Sequence, residues 1–167
     1  DWKDRNWHPQ AVLLTHGHFD HIGALAGVKK EYPDIKVYAA AAEKDVMESP
    51  ALNLSSSFGA AFTAQADIYL EDGAEIEVLG RKCKCLLVPG HTKGGMCYYF
   101  PEEKVVFTGD TLFCYSVGRT DFPTGDAKAL EDAIREKLFT LPDETLVLPG
   151  HDAQTMIGKE KKGNPYF

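Results

Sequence analysis

The sequence predicts an α+β fold in which β-sheets pack on each other and helices cover them on the outside. Two patterns indicate this. The centre of the chain contains short apolar runs separated by glycine or proline turns, which is typical of strands. Apolar residues at helical spacing occur nearer both ends. With 167 residues and 44% hydrophobic content the chain can bury a core, so we expect one domain spanning 1–167.

The first part of the chain alternates predicted strands and helices. Ile22, Leu25 and Ala26 recur at helical spacing, and a Pro-Asp pair at 33–34 is expected to end that helix. Serine, proline and glycine crowd a later segment, which therefore predicts a loop. In chain order the predicted elements are a strand at 11–15, a helix from Ile22 to about residue 32, a strand at 36–40, a helix at 42–48 and a loop at 49–61.

The centre is rich in predicted strands, and a helix precedes the last strand. Asp72-Gly73 is a hairpin signal. Asp126 can cap a helix whose Leu130, Ile134 and Leu138 form an apolar stripe on one face. The predicted strands of this part are 67–70, 75–79, 84–88, 96–100, 105–108 and 145–148.

Charge and composition exclude several classes of partner. A net charge of -7 and a pI near 5.3 argue against nucleic acids and anionic membranes, because binding phosphate requires a basic face. The sequence contains no apolar run of roughly 18 residues, the length of a membrane span. We therefore expect a cytoplasmic protein that acts on a small molecule.

The cysteines do not form a recognisable zinc or disulfide pattern. Cys83 and Cys85 lie two residues apart in a predicted strand, so they share one face and cannot easily bridge each other. Cys97 and Cys114 are too scattered to complete a zinc finger. We expect reduced thiols, which favours a reducing compartment.

The histidines carry the functional signal. His16, His18 and His21 lie in the segment Thr-His-Gly-His-Phe-Asp-His at 15–21, directly after a predicted strand, with Asp20 among them. The other candidates follow apolar strands that end in glycine: Asp110 after Phe-Thr-Gly, His91 after Val-Pro-Gly and His151 after Leu-Pro-Gly. Glycine permits a sharp turn and a close approach to an ion. Strand ends that present such side chains predict a site along one rim.

Imidazole and carboxylate together suit zinc, iron or manganese. The seven candidates are too many for one tetrahedral ion and suit two ions that share a bridging ligand. His8, beside Pro9 on a polar stretch, is expected to be an ordinary surface residue.

The segment at 15–21 resembles the signature of the metallo-β-lactamase superfamily. The whole run is similar to small glyoxalase-II-like hydrolases of that superfamily and spans about Ala11 to Phe167. The motifs that carry the resemblance, in order, are 15–21, Pro-Gly-His-Thr at 89–92, Phe-Thr-Gly-Asp-Thr-Leu-Phe at 107–113, Gly-Arg-Thr-Asp at 118–121, Pro-Gly-His at 149–151 and Asn-Pro at 164–165.

The resemblance implies a four-layer αββα sandwich that lacks its N-terminal strands in this chain. It also implies two divalent metal ions, with zinc expected and iron or manganese as alternatives. Asp110 would bridge the ions and counts against a true β-lactamase. The implied ligand sets are His16, His18 and His91 for one ion and Asp20, His21 and His151 for the other.

The implied activity is hydrolysis, in which a hydroxide shared by the two ions attacks an acyl carbonyl. A thioester is the favoured substrate, and Asp20 would orient the hydroxide. Arg119 either clamps a substrate carboxylate or pairs with Asp121. The short basic tail, with Lys159, Lys161 and Lys162, does not support glutathione specificity.

Two other functions stay open. A mononuclear iron persulfide dioxygenase would use the positions of His16, His91 and Asp110. A non-catalytic metal-binding remnant is the other reading, because only about ten residues precede the first predicted strand. For the same reason we expect exposed apolar faces at Ala11–Leu14 and Lys84–Val88. A homo-oligomer or an additional N-terminal segment would cover them.

Overall fold

A computed structural model describes Arg5 and residues 7–167; the predicted domain 1–167 also includes residues 1–4 and 6, which lie outside the described residues. The first sheet contains three parallel strands in the order β1-β2-β3. Its strands are β1 (Ala11–Leu13), β2 (Lys36–Ala40) and β3 (Ile68–Leu70).

The second sheet has six strands in the order β11-β10-β7-β6-β5-β4. Strands β10 and β7 are parallel, and the other neighbours are antiparallel. A separate two-stranded hairpin, β8-β9, follows β7. The strands are β4 (Glu75–Val78), β5 (Arg81–Leu87), β6 (Met96–Phe100), β7 (Val105–Gly109), β8 (Leu112–Phe113), β9 (Ser116–Val117), β10 (Leu146–Pro149) and β11 (Thr155–Met156).

The helices form two groups along the chain. The N-terminal group contains α1 (Phe19–Ile22), α2 (Leu25–Glu31), a 3-10 turn (Ala41–Glu43), α3 (Lys44–Met47) and a second 3-10 turn (Ser55–Phe58). The C-terminal group contains α4 (Ala127–Ala133), which continues into a π-helical turn (Ile134–Leu138), and α5 (Ile157–Gly163). Asp126 caps α4 as predicted, because its side chain accepts a hydrogen bond from Ala129 N at 2.9 Å.

Three clusters of buried apolar side chains fill the spaces between the layers of helices and sheets. One lies between the first sheet and the N-terminal helices and includes Leu25, Val37 and Met47. The second lies between the sheets, where Ala40 and Leu70 meet Cys83, Cys85 and Tyr98. The third joins the six-stranded sheet to the C-terminal helices through residues such as Val106, Leu130 and Ile134. The order helix, sheet, sheet, helix is the predicted αββα arrangement, and the fold-class prediction is confirmed.

Two local predictions were wrong. The Asp72-Gly73 turn does not join a hairpin, because β3 pairs with β2 in one sheet and β4 pairs with β5 in the other. The hairpin turn is at Leu79-Gly80, where both residues have positive φ (54° and 71°). The single helix predicted from Ile22 to about residue 32 is also wrong, since a short helix α1 begins earlier, at Phe19, and ends at Ile22, and α2 covers Leu25–Glu31.

One apolar face is open, and it meets only one of the two segments that the sequence indicated: Ala11–Leu13 is half-buried, and Leu13 lines a groove with Phe107 and Leu148. Cys85 and Val88 are fully buried, so the expected exposure of Lys84–Val88 is wrong. The Phe107 side chain is 43% exposed instead. Val105, Leu146 and Leu148 are half-buried on the same side of β7 and β10. We call these four residues the open face. Among the described residues, no helix is both long and apolar enough to cross a bilayer.

Candidate metal centre

Four strand ends converge at one rim of the two sheets. Residues 16–21 follow β1, His91 follows β5, Asp110 follows β7 and His151 follows β10. Backbone hydrogen bonds fix the ends relative to one another: Gly150 N donates to Gly109 O at 2.9 Å, and Met96 N donates to Thr15 O at 2.7 Å. Both sheets therefore contribute to a single site.

The first group of side chains consists of three buried histidines, His16, His18 and His91, whose ligand atoms lie within 4.8 Å of one another. His91 Nδ1 lies 2.8 Å from Arg119 O. A carbonyl only accepts, so Nδ1 carries the proton and His91 Nε2 presents its lone pair. That Nε2 lies 2.9 Å from His18 Nδ1.

The second group consists of Asp20, His21 and His151, again with ligand atoms within 4.8 Å. His151 Nε2 lies 3.3 Å from Asp20 Oδ2 and 3.3 Å from His21 Nε2. The side chains of His151 and Asp20 are 51% and 39% exposed. This group therefore faces solvent, whereas the first group is buried.

Asp110 lies between the two groups. Its Oδ1 is 3.3 Å from His21 Nε2, and its Oδ2 is 3.7 Å from His91 Nε2 and 3.5 Å from His151 Nε2. It also forms a third potential ligand group with His16 and His21. One carboxylate thus contacts side chains of both groups, which is the position that a bridging ligand requires.

Burial and charge set the protonation of these side chains. Burial, reinforced by the neighbouring histidines, lowers the pKa of His16 and brings that of His18 to about 4. Burial also lowers the pKa of His91, although the Arg119 carbonyl opposes the shift. Burial acts in the same direction on His21, but the hydrogen bond to Asp110 outweighs it and raises that pKa. Burial would raise the pKa of Asp110, yet the same bond lowers it.

The residues fit a pair of metal ions. His16 Nε2 and His18 Nε2 are buried and have no hydrogen-bond partner among the described residues. Unpaired polar atoms of this kind are costly in a folded protein unless a cation satisfies them. The structure brings all seven predicted ligands together, with five imidazoles and two carboxylates. This donor set suits zinc, iron or manganese.

The family model described as "Metallo-beta-lactamase superfamily" matches residues 1–151. The chain belongs to the metallo-β-lactamase superfamily. A Bacillus subtilis relative named "Probable metallo-hydrolase YqgX" is 40% identical over 99% of this chain and 79% of its own length. The "Hydroxyacylglutathione hydrolase GloC" of Haemophilus influenzae is 35% identical over 95% of this chain and 76% of its own length.

Solved structures give the same result. The chain is similar to the BLEG-1 B3 metallo-β-lactamase, with a TM-score of 0.92, 40% identity and coverage of 98% of this chain and 79% of that one. It is also similar to TTHA1623 in a di-iron-bound form, with a TM-score of 0.86, 37% identity and coverage of 99% and 81%. The predicted superfamily is therefore confirmed.

Arg119, His8 and Tyr98 lie outside the two groups of potential metal ligands. The guanidinium of Arg119 forms two hydrogen bonds with the Asp121 carboxylate, at 2.7 and 2.6 Å, and stacks over the Phe122 ring at 3.9 Å. This is the pairing that the sequence offered as the alternative to substrate binding. His8 is exposed, as expected. Tyr98 donates to Leu14 O at 2.8 Å within the core.

Glu43, a buried carboxylate beside the first group, is not among the site residues predicted from the sequence. Gly17 N donates to its Oε1 at 2.8 Å, and Thr92 Oγ1 donates to its Oε2 at 3.0 Å. Burial raises the pKa of Glu43 to about 7, although these hydrogen bonds oppose the shift. The available signal was weak: Glu43 is the first charged residue after the four alanines at 39–42.

Proposed function

We propose that the protein is a binuclear metal-dependent hydrolase that cleaves small acyl thioesters, with zinc as the expected metal. The position of Asp110 carries the proposal, because its carboxylate lies within 3.7 Å of histidines from both groups. A mononuclear site would need neither the second group nor a shared carboxylate.

Two ions bound here would provide a nucleophilic hydroxide at neutral pH and polarise the acyl carbonyl. The side chains of the protein would orient the nucleophile and determine the side from which the substrate reaches the ions. Asp20, 39% exposed, lies where its carboxylate can accept a hydrogen bond from the attacking nucleophile. Because the first group is buried, the substrate would approach from the side of Asp20 and His151.

A thioester suits this site because its leaving group requires little help. The departing thiolate is the conjugate base of a thiol whose pKa is about 8.5, so it leaves without a strong general acid. The described residues around the metal groups include no further histidine that could act as one. The name of the 35%-identical GloC relative supports a glutathione thioester as one substrate, despite the short basic tail of this chain.

The test combines metal analysis with a substrate panel. We expect two ions per chain and hydrolysis of S-lactoylglutathione or of an N-acetylcysteamine thioester, followed through the released thiol. Loss of activity with a chelator and recovery with Zn²⁺ would support the proposal. A metal-replete sample that cleaves neither compound would refute thioester hydrolysis and favour a metal-binding remnant.

β-Lactam hydrolysis is a second candidate, supported by the 40% identity to the BLEG-1 B3 metallo-β-lactamase, although the carboxylate of Asp110 counts against it. A chromogenic cephalosporin in the same panel tests it. The di-iron form of TTHA1623 makes iron the main alternative to zinc. Oxygen consumption with glutathione persulfide, by a sample holding one iron per chain, would instead establish the dioxygenase.

A further inference from the structure

Glu43 connects two loops that reach the metal centre from different sheets. Its side chain is 1% exposed at the start of α3. Oε1 accepts from Gly17 N, which lies between His16 and His18 in sequence. Oε2 accepts from Thr92 Oγ1, the residue after His91.

The loop that follows His91 and contains Thr92 and Gly94 packs closely against the Glu43 carboxylate. Gly94 N also donates a hydrogen bond to Glu43. A Cβ atom placed on Gly94 would lie only 2.5 Å from Glu43 Oε2, so the loop backbone approaches as far as glycine allows. Three donors from two segments therefore converge on one side chain, and those segments are 26 and 49 residues away from Glu43 in sequence.

We propose that Glu43 is a positioning residue for the first metal group, which sets the separation between His91 and the pair His16 and His18. The three histidines belong to different sheets, since His16 and His18 follow β1 and His91 follows β5. Gly17 is adjacent in sequence to both His16 and His18, and Thr92 is adjacent to His91. A shift of the carboxylate would move both loops, and the histidines with them.

Glu160 provides a matched control. It is also fully buried, and it accepts from Thr155 Oγ1 at 2.5 Å, Tyr115 N at 3.0 Å and Asn164 Nδ2 at 2.8 Å. None of these partners is adjacent in sequence to a predicted metal ligand. Both glutamates therefore bind a threonine hydroxyl and a backbone N–H in the core, and only Glu43 does so at the metal loops.

The substitution Glu43→Gln tests the proposal with little change in volume. An amide has one acceptor oxygen and one donor nitrogen, so glutamine can keep an acceptor at the Oε1 position for Gly17 N or at the Oε2 position for Thr92 Oγ1, but not at both. Loss of a hydrogen bond that orients metal ligands without touching the metal typically weakens metal binding about 10- to 100-fold. We expect that loss in at least one of the two stepwise Zn²⁺ dissociation constants, measured by competition with a chromophoric chelator.

The control separates positioning from general stability. Glu160→Gln should lower the free energy of unfolding of the metal-free protein to a similar degree and leave both Zn²⁺ constants within about threefold, well below the shift expected for loss of a hydrogen bond that orients metal ligands. The visible spectrum of the Co²⁺-loaded protein should change for Glu43→Gln alone. If Glu43→Gln binds Zn²⁺ as tightly as Glu160→Gln, with an unchanged Co²⁺ spectrum, the proposal is overturned.

A second pair of variants applies if Glu43→Gln does not fold. Thr92→Val removes one donor to the carboxylate, and Thr92→Ser restores it. Weaker Zn²⁺ binding by the valine variant and recovery by the serine variant support the proposal, whereas equal binding by both overturns it. The inference rests on the metal centre of the proposed function but not on its substrate. A wild-type protein that binds no metal defeats both, and normal binding by the variants defeats only this one.

Discussion

At the scale of single residues, the two metal groups differ in how strongly protons compete for them. The first group is buried, and its histidines have lowered pKa values, that of His18 near 4. The second group includes His21, whose pKa is raised because the hydrogen bond to Asp110 and the charges of Asp110 and Asp20 outweigh burial. A metal ion needs the neutral imidazole, so protons displace it from the second group first.

This difference predicts two-stage metal loss on acidification. Because the pKa of His21 is raised, His21 takes up a proton first as the pH falls, and the metal content should drop from two ions per chain to one. The remaining ion should leave at a lower pH, because the pKa values of His16 and His91 are lowered and that of His18 is about 4. Elemental analysis after dialysis at a series of pH values measures both steps. Simultaneous loss of both ions would contradict the assignment of the two groups.

Asp110 is the residue on which both ions are expected to depend. Asp110→Ala should reduce the metal content below one ion per chain and the hydrolytic rate by roughly a hundredfold or more, because a shared ligand is lost. His8→Ala is the control, since that side chain is exposed and lies outside the ligand groups. Full metal occupancy in the Asp110 variant would rule out the bridging role.

At the scale of elements, helix α4 supports the loop that carries His91. Asp126 N donates to Gly90 O at 2.8 Å at the start of this helix. Gly90 has φ of 133°, and a Cβ atom there would lie 2.5 Å from Leu130 N. The helix backbone therefore packs directly against the residue before His91, and only glycine permits this approach.

Gly90→Ala should therefore disrupt both stability and metal binding. We expect a loss of roughly 2 kcal/mol or more in the free energy of unfolding, because the new methyl group meets a helix backbone at an unfavourable φ. Urea denaturation and metal content measure the two effects.

Gly27→Ala is the control for that experiment. Gly27 lies within α2, and nothing lies within 4 Å of an added Cβ atom. Alanine favours a helix by up to about 1 kcal/mol over glycine, so this variant should be neutral or more stable. Equal behaviour of the two variants would show that the contact between α4 and Gly90 is unimportant.

At the scale of the whole molecule, the space between the two sheets is not completely filled. Three strands of the first sheet face six of the second, and the open face on β7 and β10 has no strand opposite it in the described part of the chain. Leu13, Phe107 and Leu148 line a groove there. We expect a second copy of the chain or an additional N-terminal segment to cover this face.

Phe107→Thr should reduce self-association and the binding of a hydrophobic dye to residues 1–167, because it removes the most exposed ring of the open face while keeping a strand-forming residue. Light scattering and dye fluorescence measure the change. Leu79→Asn is the control, since Leu79 is 73% exposed at the hairpin turn, outside the open face. A monomeric wild-type protein that binds no dye and melts cooperatively would show that the fold needs no cover.

The sequence alone determined the features that depend on neighbouring residues. Alternating or continuous apolar runs located most strands of both sheets within two or three residues, and the Asp126 cap and its apolar stripe located α4. The seven candidate ligands were recognisable because each directly follows a strand or belongs to 15–21. The ligand roles remain a prediction, but the structure does bring these side chains to one rim.

Only the tertiary structure decided which distant segments meet. The Asp72-Gly73 turn is locally sound, since Gly73 has φ of 76°, but a turn does not specify whether its flanking strands pair with each other. Strand β3 pairs with β2, and β4 pairs with β5 across the shorter turn at Leu79-Gly80. Likewise, no short sequence pattern identifies Glu43 as a buried residue at the metal centre, because its partners Gly17 and Thr92 lie 26 and 49 residues away. Pairing and buried polar contacts result from packing the whole chain, and short-range spacing carries no information about them.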